Sequence, residues 1–532
     1  MATQEQMADL RAVETITDLV ERAMKTYAGD TAFINFGQTL TFAELDTHSR
    51  NLAAYLQNEI AIERGDRVAL MMPNMFAFVI SSVALMRLGA IQVNVNPLYT
   101  ARELAHQLQD SGATTLIIFS GSTPVYAPIK DEVPVEAVVV ATLSDGSPSV
   151  IPSPPVDPET GAHVLLAEAL EIGADLPFEP TTVSAEDVLF LQYTGGTTGA
   201  SKGAVLTHGN LLANIRQYRE FSPEMTLPGQ EVIITPLPLY HIFALMVNFL
   251  AYFAVGSKNY LITNPRDMDS FIAAIKESRL TAMTGVNSLF AGMMMHPDID
   301  EVDFSHLKIA IGGGTKIMPV ISDRWKALTG KHICQGYGLS ETSPVLTLNP
   351  PEADYFSDAA GLPFPETDIR ILGDDDEEVA DGERGEVCAK GPQVMSGYWN
   401  RPEETKLAFT ADGYFRTGDI AIREPNGMIR IVDRKKDMVL VSGFNVYPNE
   451  VEQVVSEYEG IVECACIGIP DEKTGETVKL FVVVGDDNNI SKDEIIKHCR
   501  ENLAAYKVPS QIAFIDAVPK SAVGKILRRE LR

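Results

Sequence analysis

Val188-Leu189-Phe190-Leu191-Gln192-Tyr193 runs straight into Thr194-Gly195-Gly196-Thr197-Thr198-Gly199-Ala200-Ser201-Lys202-Gly203. The first segment is an apolar, strand-like run. The second carries four glycines, three threonines, a serine and a lysine. Glycine lets backbone N–H groups approach a polyphosphate closely, the hydroxyls add donors, and Lys202 adds positive charge. A plain Gly-rich turn accounts for the glycines but not for the density of Thr, Ser and Lys. The Walker A form is excluded, because no Gly-Lys-Ser/Thr follows at the required spacing. Thr194, Gly195, Gly196, Thr197, Thr198, Gly199 and Lys202 are therefore the candidate contacts to a phosphate chain.

Upstream of this stretch, short β-branched runs alternate with helical patterns, which predicts stacked β/α units. Residues 68–72, 91–95 and 115–119 read as strands. Thr41 and Glu44 form a capping box ahead of Leu45, Leu52 and Leu56 at helical spacing. Downstream, residues 416–419 and 427–432 look like the end of a β-rich region, and a boundary falls near 433–437. Beyond it, 451–458 and 492–503 read as helices and 465–469 and 479–484 as strands, a pattern sufficient for a small separate domain. Residues 144–158, rich in Ser and Pro, read as a surface loop, and the acidic run 374–378 as a solvated hairpin turn.

At 532 residues, with 45% hydrophobic content, the chain is too long for one core. It holds 43 Lys+Arg against 72 Asp+Glu, a formal charge of -29. That excess disfavours nucleic acid and polybasic membrane contacts, so an anionic ligand needs a local cationic pocket. Most of the excess lies before Asp433, and the tail after Val518 is locally basic. Cys334, Cys388, Cys464, Cys466 and Cys499 are odd in number and lack zinc-type pairs, which points to a reducing compartment. Cys464 and Cys466 alternate in a strand-like run and read as core. The polar N-terminus lacks a signal-peptide pattern. Residues 242–255, the most apolar stretch, are interrupted by Asn248 and are shorter than the ~20 residues that span a bilayer, so a buried helix is expected.

Three further motifs stand in order downstream: Gly336-Tyr337-Gly338-Leu339-Ser340-Glu341-Thr342, Arg416-Thr417-Gly418-Asp419, and Gly524-Lys525. Together with the loop they resemble the adenylate-forming acyl-CoA synthetase and luciferase superfamily, from about residue 40 to the C-terminus. The similarity is closer to bacterial long-chain fatty acid–CoA ligases in Pro236-Leu237-Pro238-Leu239-Tyr240-His241, in 433–451 and in 519–532. The expected fold is α/β. A large N-terminal domain (1–432) of stacked mixed β-sheets with helices includes a β-rich subdomain, and a small mobile α+β C-terminal domain (433–532) follows, with a hinge near Lys436.

The resemblance implies an ATP-dependent ligase that converts a long-chain fatty acid to its acyl-CoA through an acyl-adenylate, releasing AMP and pyrophosphate. Medium-chain and aryl or cinnamate-like acids are the alternative. ATP, Mg²⁺ and coenzyme A are the implied cofactors and co-substrates. A carboxylate attacking the α-phosphorus brings two anions together, so positive charge and fixed geometry must supply most of the rate. By resemblance, Glu341 and Thr197 serve the metal. Gly313, Gly314 and Thr315 line the adenine and the acyl head with Gln335, Gly336, Tyr337 and Gly338, and Ser340 belongs to the same nucleotide-binding motif. Tyr337 either stacks on the base or is ordinary core. Asp419 and Arg434 meet the ribose hydroxyls. Lys525 bridges the incoming carboxylate and the α-phosphate. His241 either orients or gates the acid, or is a core histidine. Gly443 and Phe444 form the wall of the pantetheine channel once the C-terminal domain has turned about Lys436.

Seven residues follow Lys525, which leads us to expect a free thiol rather than an appended carrier domain as acceptor. The expected location is cytoplasmic, with transient contact at the inner face of the membrane and a homodimer both left open.

Overall fold

β-Branched runs separated by helices bury their apolar faces by pairing in one sheet with helices packed on it. In the computed structural model, strands Val164–Leu165, Ala137–Ala141, Thr115–Phe119, Arg67–Met71, Ile91–Val95, Val188–Thr194 and Lys202–Thr207 lie side by side in that order. All neighbours are parallel except the last pair, which is antiparallel. The structure describes residues 9–147, 151–194, 201–442, 444–471, 473–485, 490–521 and 524–532.

Contacts divide the chain into two units. The first comprises Met1–Asp358, Pro363–Thr367 and Gly391–Ala408; the second comprises Ala359–Leu362, Asp368–Lys390 and Phe409–Arg532.

The first unit holds a second sheet with successive strands Val345–Leu348, Ile333–Gly338, Ile309–Gly312, Ala282–Gly285, Val232–Thr235, Lys258–Leu261, Thr31–Asn35 and Gln38–Thr41. Its centre is parallel, and the pairs at these two ends are antiparallel. Helix Phe76–Leu88, apolar almost all round, is buried along its whole length, as such a helix must be. Asn74, just ahead of it and 2% exposed, ties it to the second sheet. Its amide donates to the carbonyls of Thr235, Leu237 and Ile262, and its Oδ1 accepts from Leu239 N–H at 2.7 Å. Such a fully satisfied buried amide fixes the register of two layers.

The apolar stretch 242–255 does contain a buried helix, Ala244–Ala251, but it is wound as a π-helix. An all-apolar pattern carries no periodicity from which that winding could be read. Asn248 is satisfied inside it by Ile234 O, Thr235 Oγ1 and Thr284 Oγ1. Among the described residues no helix is long and apolar enough to cross a membrane.

The second unit carries an antiparallel sheet of Asp368–Leu372, Gly385–Lys390, Phe415–Arg423 and Ile429–Arg434. Its acidic run 374–378 is a turn, closed by Gly373 N–H to Glu377 O at 2.9 Å. A second sheet orders Phe444–Val446, Val439–Val441, Gly475–Val484 and Ile461–Asp471, with Gln511–Phe514 added parallel to Gly475–Val484. Helices Pro448–Ser456 and Lys492–Asn502 close its core through Val451, Val455, Ile495 and Cys499. The first of these starts three residues before the expected 451, because Pro448 presets the opening helical turn. Cys464 and Cys466 both enter this core, as alternate residues of one strand must. The contact division places Asp368–Lys390 and the β-rich stretch from Phe409 onward with the C-terminal hundred or so residues, and leaves Gly391–Ala408 in the first unit. Contact density and the pivot of a motion are different quantities, and this division locates no pivot.

Candidate functional site

The apolar run ending in Thr194 is a strand, and the chain returns antiparallel from Lys202, with Thr194 paired to Lys202 in register. Gly195, Gly196, Thr197, Thr198 and Gly199 lie outside the described residues. Both flanks of the hairpin are gripped by helix Ala101–Ser111. Asp110 accepts the Tyr193 hydroxyl at 2.8 Å, and His106 Nε2 meets Ser201 O at 3.0 Å. The two side chains are four apart on the helix and therefore share a face. Burial, and then the Asp110 carboxylate, push the Tyr193 phenol well above its ordinary range, so it remains a donor.

A later segment of the same unit lies along the returning strand, through Trp399 N–H to Gly203 O at 2.8 Å and Val205 N–H to Gly397 O at 3.0 Å. It brings Tyr398 between two charged groups. The Lys202 ammonium stands 5.2 Å from the Tyr398 ring centroid. The Tyr398 hydroxyl donates to Glu341 Oε1 at 2.9 Å. Glu341 sits in the short turn Ser340–Thr342 that follows strand Ile333–Gly338, and it is 8% exposed. Burial and the Glu341 charge raise the Tyr398 phenol far above the ordinary tyrosine range. Lys202 Nζ also pairs with Glu404 Oε2 at 2.6 Å. Glu404 Oε1 lies 3.8 Å from Arg401 Nε, and Arg401 in turn pairs with Asp110.

Strands Ile309–Gly312 and Ile333–Gly338 end together, with Gly312 opposite Gln335. Gly313-Gly314-Thr315 thus emerges beside Gly336-Tyr337-Gly338 at the carboxyl end of parallel strands, where α/β sheets bind ligands. Gly338 admits no side chain, since a Cβ there would stand 1.8 Å from Pro344 O. The Gln335 amide accepts from Ile317 N–H at 2.7 Å and donates to Asp358 O at 3.2 Å, which fixes the chain just after Thr315. Tyr337, Ser340 and Thr315 are partly buried. His241, also partly buried, accepts Phe243 N–H on Nδ1 at 3.3 Å. Phe243 is the ring that a Cβ on Gly313 would meet at 3.0 Å. His241 and the Gly313 turn are therefore neighbours.

In the second unit Asp419 and Arg434 are paired across two strands, with Arg434 Nε 2.9 Å from Asp419 Oδ1 and Asp419 itself 3% exposed. Thr417, Gly418, Arg434, Lys435 and Lys436 line an open cleft there. Lys525 is presented by a tight turn in which Gly524 takes φ +73 and Lys525 N–H donates to Ser521 Oγ at 3.1 Å. Its ammonium shares this neighbourhood. Burial first, then the Arg434 and Lys436 cations, bring its pKa down to about 7, against the opposing pull of Asp419 and Asp437. Lys436 is lowered to about 8 by burial and Arg434. Phe444 is exposed and stacks on Tyr506 at 4.8 Å between centroids; Gly443 lies outside the described residues.

Within the first unit the structure brings Lys202, Glu341 and Thr194 to one hairpin, and His241 and Gly313 to one corner. Within the second it brings Asp419, Arg434, Lys436 and Lys525 together. Sequence reasoning missed Tyr398, Arg401, Glu404, His106 and Asp110. Arg401 lies 291 residues from its partner Asp110, and no local pattern marks either one.

Residues 20–399 match the family model of the AMP-binding enzyme, and residues 450–525 that of the AMP-binding enzyme C-terminal domain. The chain is 45% identical over 534 residues to the long-chain-fatty-acid–CoA ligase of Salmonella typhimurium, covering 98% of this chain and 94% of the relative. To the long-chain-fatty-acid–CoA ligase of Haemophilus influenzae it is 44% identical over 541 residues, 99% and 96% of the two chains. Among solved structures, ATP-bound MatB from Rhodopseudomonas palustris superposes with a TM-score of 0.85 at 27% identity, over 97% of this chain and 98% of that one.

Proposed function

Because this chain belongs to the AMP-binding enzyme family, we propose that it is an ATP-dependent acid–thiol ligase acting on long-chain fatty acids. The fatty carboxylate oxygen attacks the α-phosphorus of ATP, the α–β phosphoanhydride bond breaks, and pyrophosphate leaves. The thiol sulfur of coenzyme A, after losing its proton, then attacks the acyl carbon and AMP leaves. The observation that carries the reading is the near-full-length likeness to long-chain-fatty-acid–CoA ligases.

The first step needs anion-stabilising groups that are in place before reaction. Lys202, paired in register with Thr194 at the foot of the hairpin, would supply one cation for the polyphosphate. Glu341 suits Mg²⁺. Among the described residues no three His, Cys, Asp or Glu side chains gather into a site of their own. One buried carboxylate instead fits a hard cation that takes its other ligands from phosphate oxygens and water. Glu341 and Thr197 would hold it, and when bound it neutralises phosphate charge. The Gly313-Gly314-Thr315 segment and the strand end Gln335–Gly338 beside it are proposed to receive the base, with Ser340 and Tyr337 close by. His241, a neighbour of the Gly313 turn through Phe243, would orient the acid.

The C-terminal part, residues 433–532, is proposed to move as a body about Lys436. Asp419 and Arg434 would receive the ribose. Lys525 would bridge carboxylate and α-phosphate in the first step and withdraw in the second, when Gly443 and Phe444 would face the pantetheine arm. What supports its transfer is electrostatic: a partly buried amine crowded by Arg434 and Lys436 gains as a cation by meeting a polyanion. The acid's chemistry supports work in the cytoplasm with transient membrane contact, since a long acyl chain partitions into bilayers. Distribution between soluble and membrane fractions checks this.

The test is pyrophosphate release by the purified protein across acids of rising chain length and across aryl acids, with and without coenzyme A. Release that peaks on long-chain acids, with acyl-CoA formed when the thiol is present, is the expected result. A peak on aryl or medium-chain acids would reject the long-chain assignment, and absence of release with every acid would reject the ligase.

A further inference from the structure

Glu404 stands against Lys202 at 2.6 Å, yet nothing in adenylate formation calls for a carboxylate beside a phosphate-binding lysine. A negative charge there repels the nucleotide. The arrangement around it is nonetheless anchored. Pro402 opens the short helix Pro402–Leu407 that carries Glu404. Glu404 Oε1 faces Arg401 Nε at 3.8 Å, and Arg401 is paired with Asp110, which also receives the Tyr193 hydroxyl. The carboxylate therefore has a second cation, Arg401, beside it, whereas Lys202 reaches it on a flexible four-carbon stem. Both side chains of the pair are a little over a third exposed, the class of ion pair that contributes little net stability. A ligand carrying several negative charges can displace Glu404 from Lys202 without disturbing the frame that holds Glu404.

We propose that Glu404 is a positioning residue that competes with phosphate for Lys202: it holds the lysine over Tyr398 in the empty site, yields it to the incoming triphosphate, and reclaims it as pyrophosphate leaves. This rests on the ligase reading above, and it deepens that reading by assigning a group to product release. Tyr398 completes the device. Its ring lies under the Lys202 ammonium and its hydroxyl is engaged by Glu341, so the lysine travels over an aromatic face rather than through bare solvent. The competitor is an anion of one charge. Its removal therefore strengthens binding of the polyanion that it opposes, instead of weakening it as loss of a purely structural ion pair would.

The experiment measures pyrophosphate affinity directly by calorimetry, and as product inhibition of acyl-CoA formation, in the wild type, Glu404→Gln, Glu404→Asp, Lys202→Ala and the Lys202→Ala/Glu404→Gln double variant. Glu404→Gln is expected to bind pyrophosphate about two- to fivefold more tightly and to be inhibited by it at correspondingly lower concentration. Glu404→Asp should stay near the wild type. In the Lys202→Ala background the Gln substitution should change pyrophosphate affinity no further, since the cycle removes the lysine through which it acts. Unchanged or weaker pyrophosphate binding in Glu404→Gln, or an equal gain without Lys202, would overturn the proposal. A wild type that binds pyrophosphate but forms no adenylate from any acid would instead sink the ligase reading, while the binding comparison still decides the role of Glu404.

Discussion

Around the hairpin of the first unit, opposite charges are matched, Lys202 with Glu404 and Arg401 with Asp110, and the Glu341 carboxylate accepts the neutral Tyr398 hydroxyl. Around Lys525 in the second unit, Arg434 and Lys436 crowd the ammonium, and Asp419 and Asp437 only partly offset them. The first arrangement pairs its cations with carboxylates, and the second sets cations beside one another. Pre-set charge stabilises a transition state because nothing has to reorganise. Mismatched charge, by contrast, gives a side chain reason to leave when an anion becomes available. On the proposed function, the comparison sets a fixed part of the chemistry against a part that would be delivered.

Removing the delivered charge should hurt one step only. Lys525→Ala is expected to slow adenylate formation by about 10²- to 10³-fold, while thioester formation from preformed acyl-adenylate falls far less. Single-turnover measurement of each half-reaction checks it, and equal losses would dissolve the distinction between the two regions. Next in size, Glu341→Ala should weaken Mg²⁺-dependent adenylation by about a hundredfold, read from Mg²⁺ titrations of pyrophosphate release; an unaltered metal dependence would remove Glu341 from the fixed set. Smaller still, Tyr398→Phe deletes only the hydroxyl that holds Glu341 and should raise the Mg²⁺ concentration for half-maximal rate by about tenfold. Its rate at saturating metal should be nearly unchanged. A loss of maximal rate without a shift in metal requirement would mean that Tyr398 does something other than orient the carboxylate.

Much of this frame is legible in the sequence because it is local. The strand that runs into Thr194, the capping box at Thr41 and Glu44, the alternation of Cys464 and Cys466, and the turn at Gly524 each follow from a few adjacent residues. The family motifs named Glu341, Asp419 and Lys525, but not what surrounds them. Tyr398 reaches Glu341 across 57 residues and Arg401 reaches Asp110 across 291, distances over which periodicity and turn chemistry carry no information. The π winding of Ala244–Ala251 was hidden for the opposite reason, since every position there is apolar or buried and no face stands out. Gln335 shows a third kind of limit. Its place beside the Gly313 turn follows from the motif, but only the structure reveals that its amide braces Ile317 and Asp358.

The account turns on Lys525 being a cation that becomes fully charged only when it meets the nucleotide. With a pKa brought down to about 7 by burial and by Arg434 and Lys436, it is mostly neutral at about pH 8. Bridging carboxylate and phosphate favours the charged form and returns the pKa towards the ordinary lysine value. Binding a non-hydrolysable ATP analogue together with fatty acid should therefore take up close to one proton at about pH 8, and much less near pH 6, where the free ammonium is already charged. Calorimetry in buffers of different ionisation enthalpy reads this directly. Uptake near pH 8 that vanishes in Lys525→Met is the result the account predicts; no uptake in the wild type, or the same uptake in Lys525→Met, would contradict it.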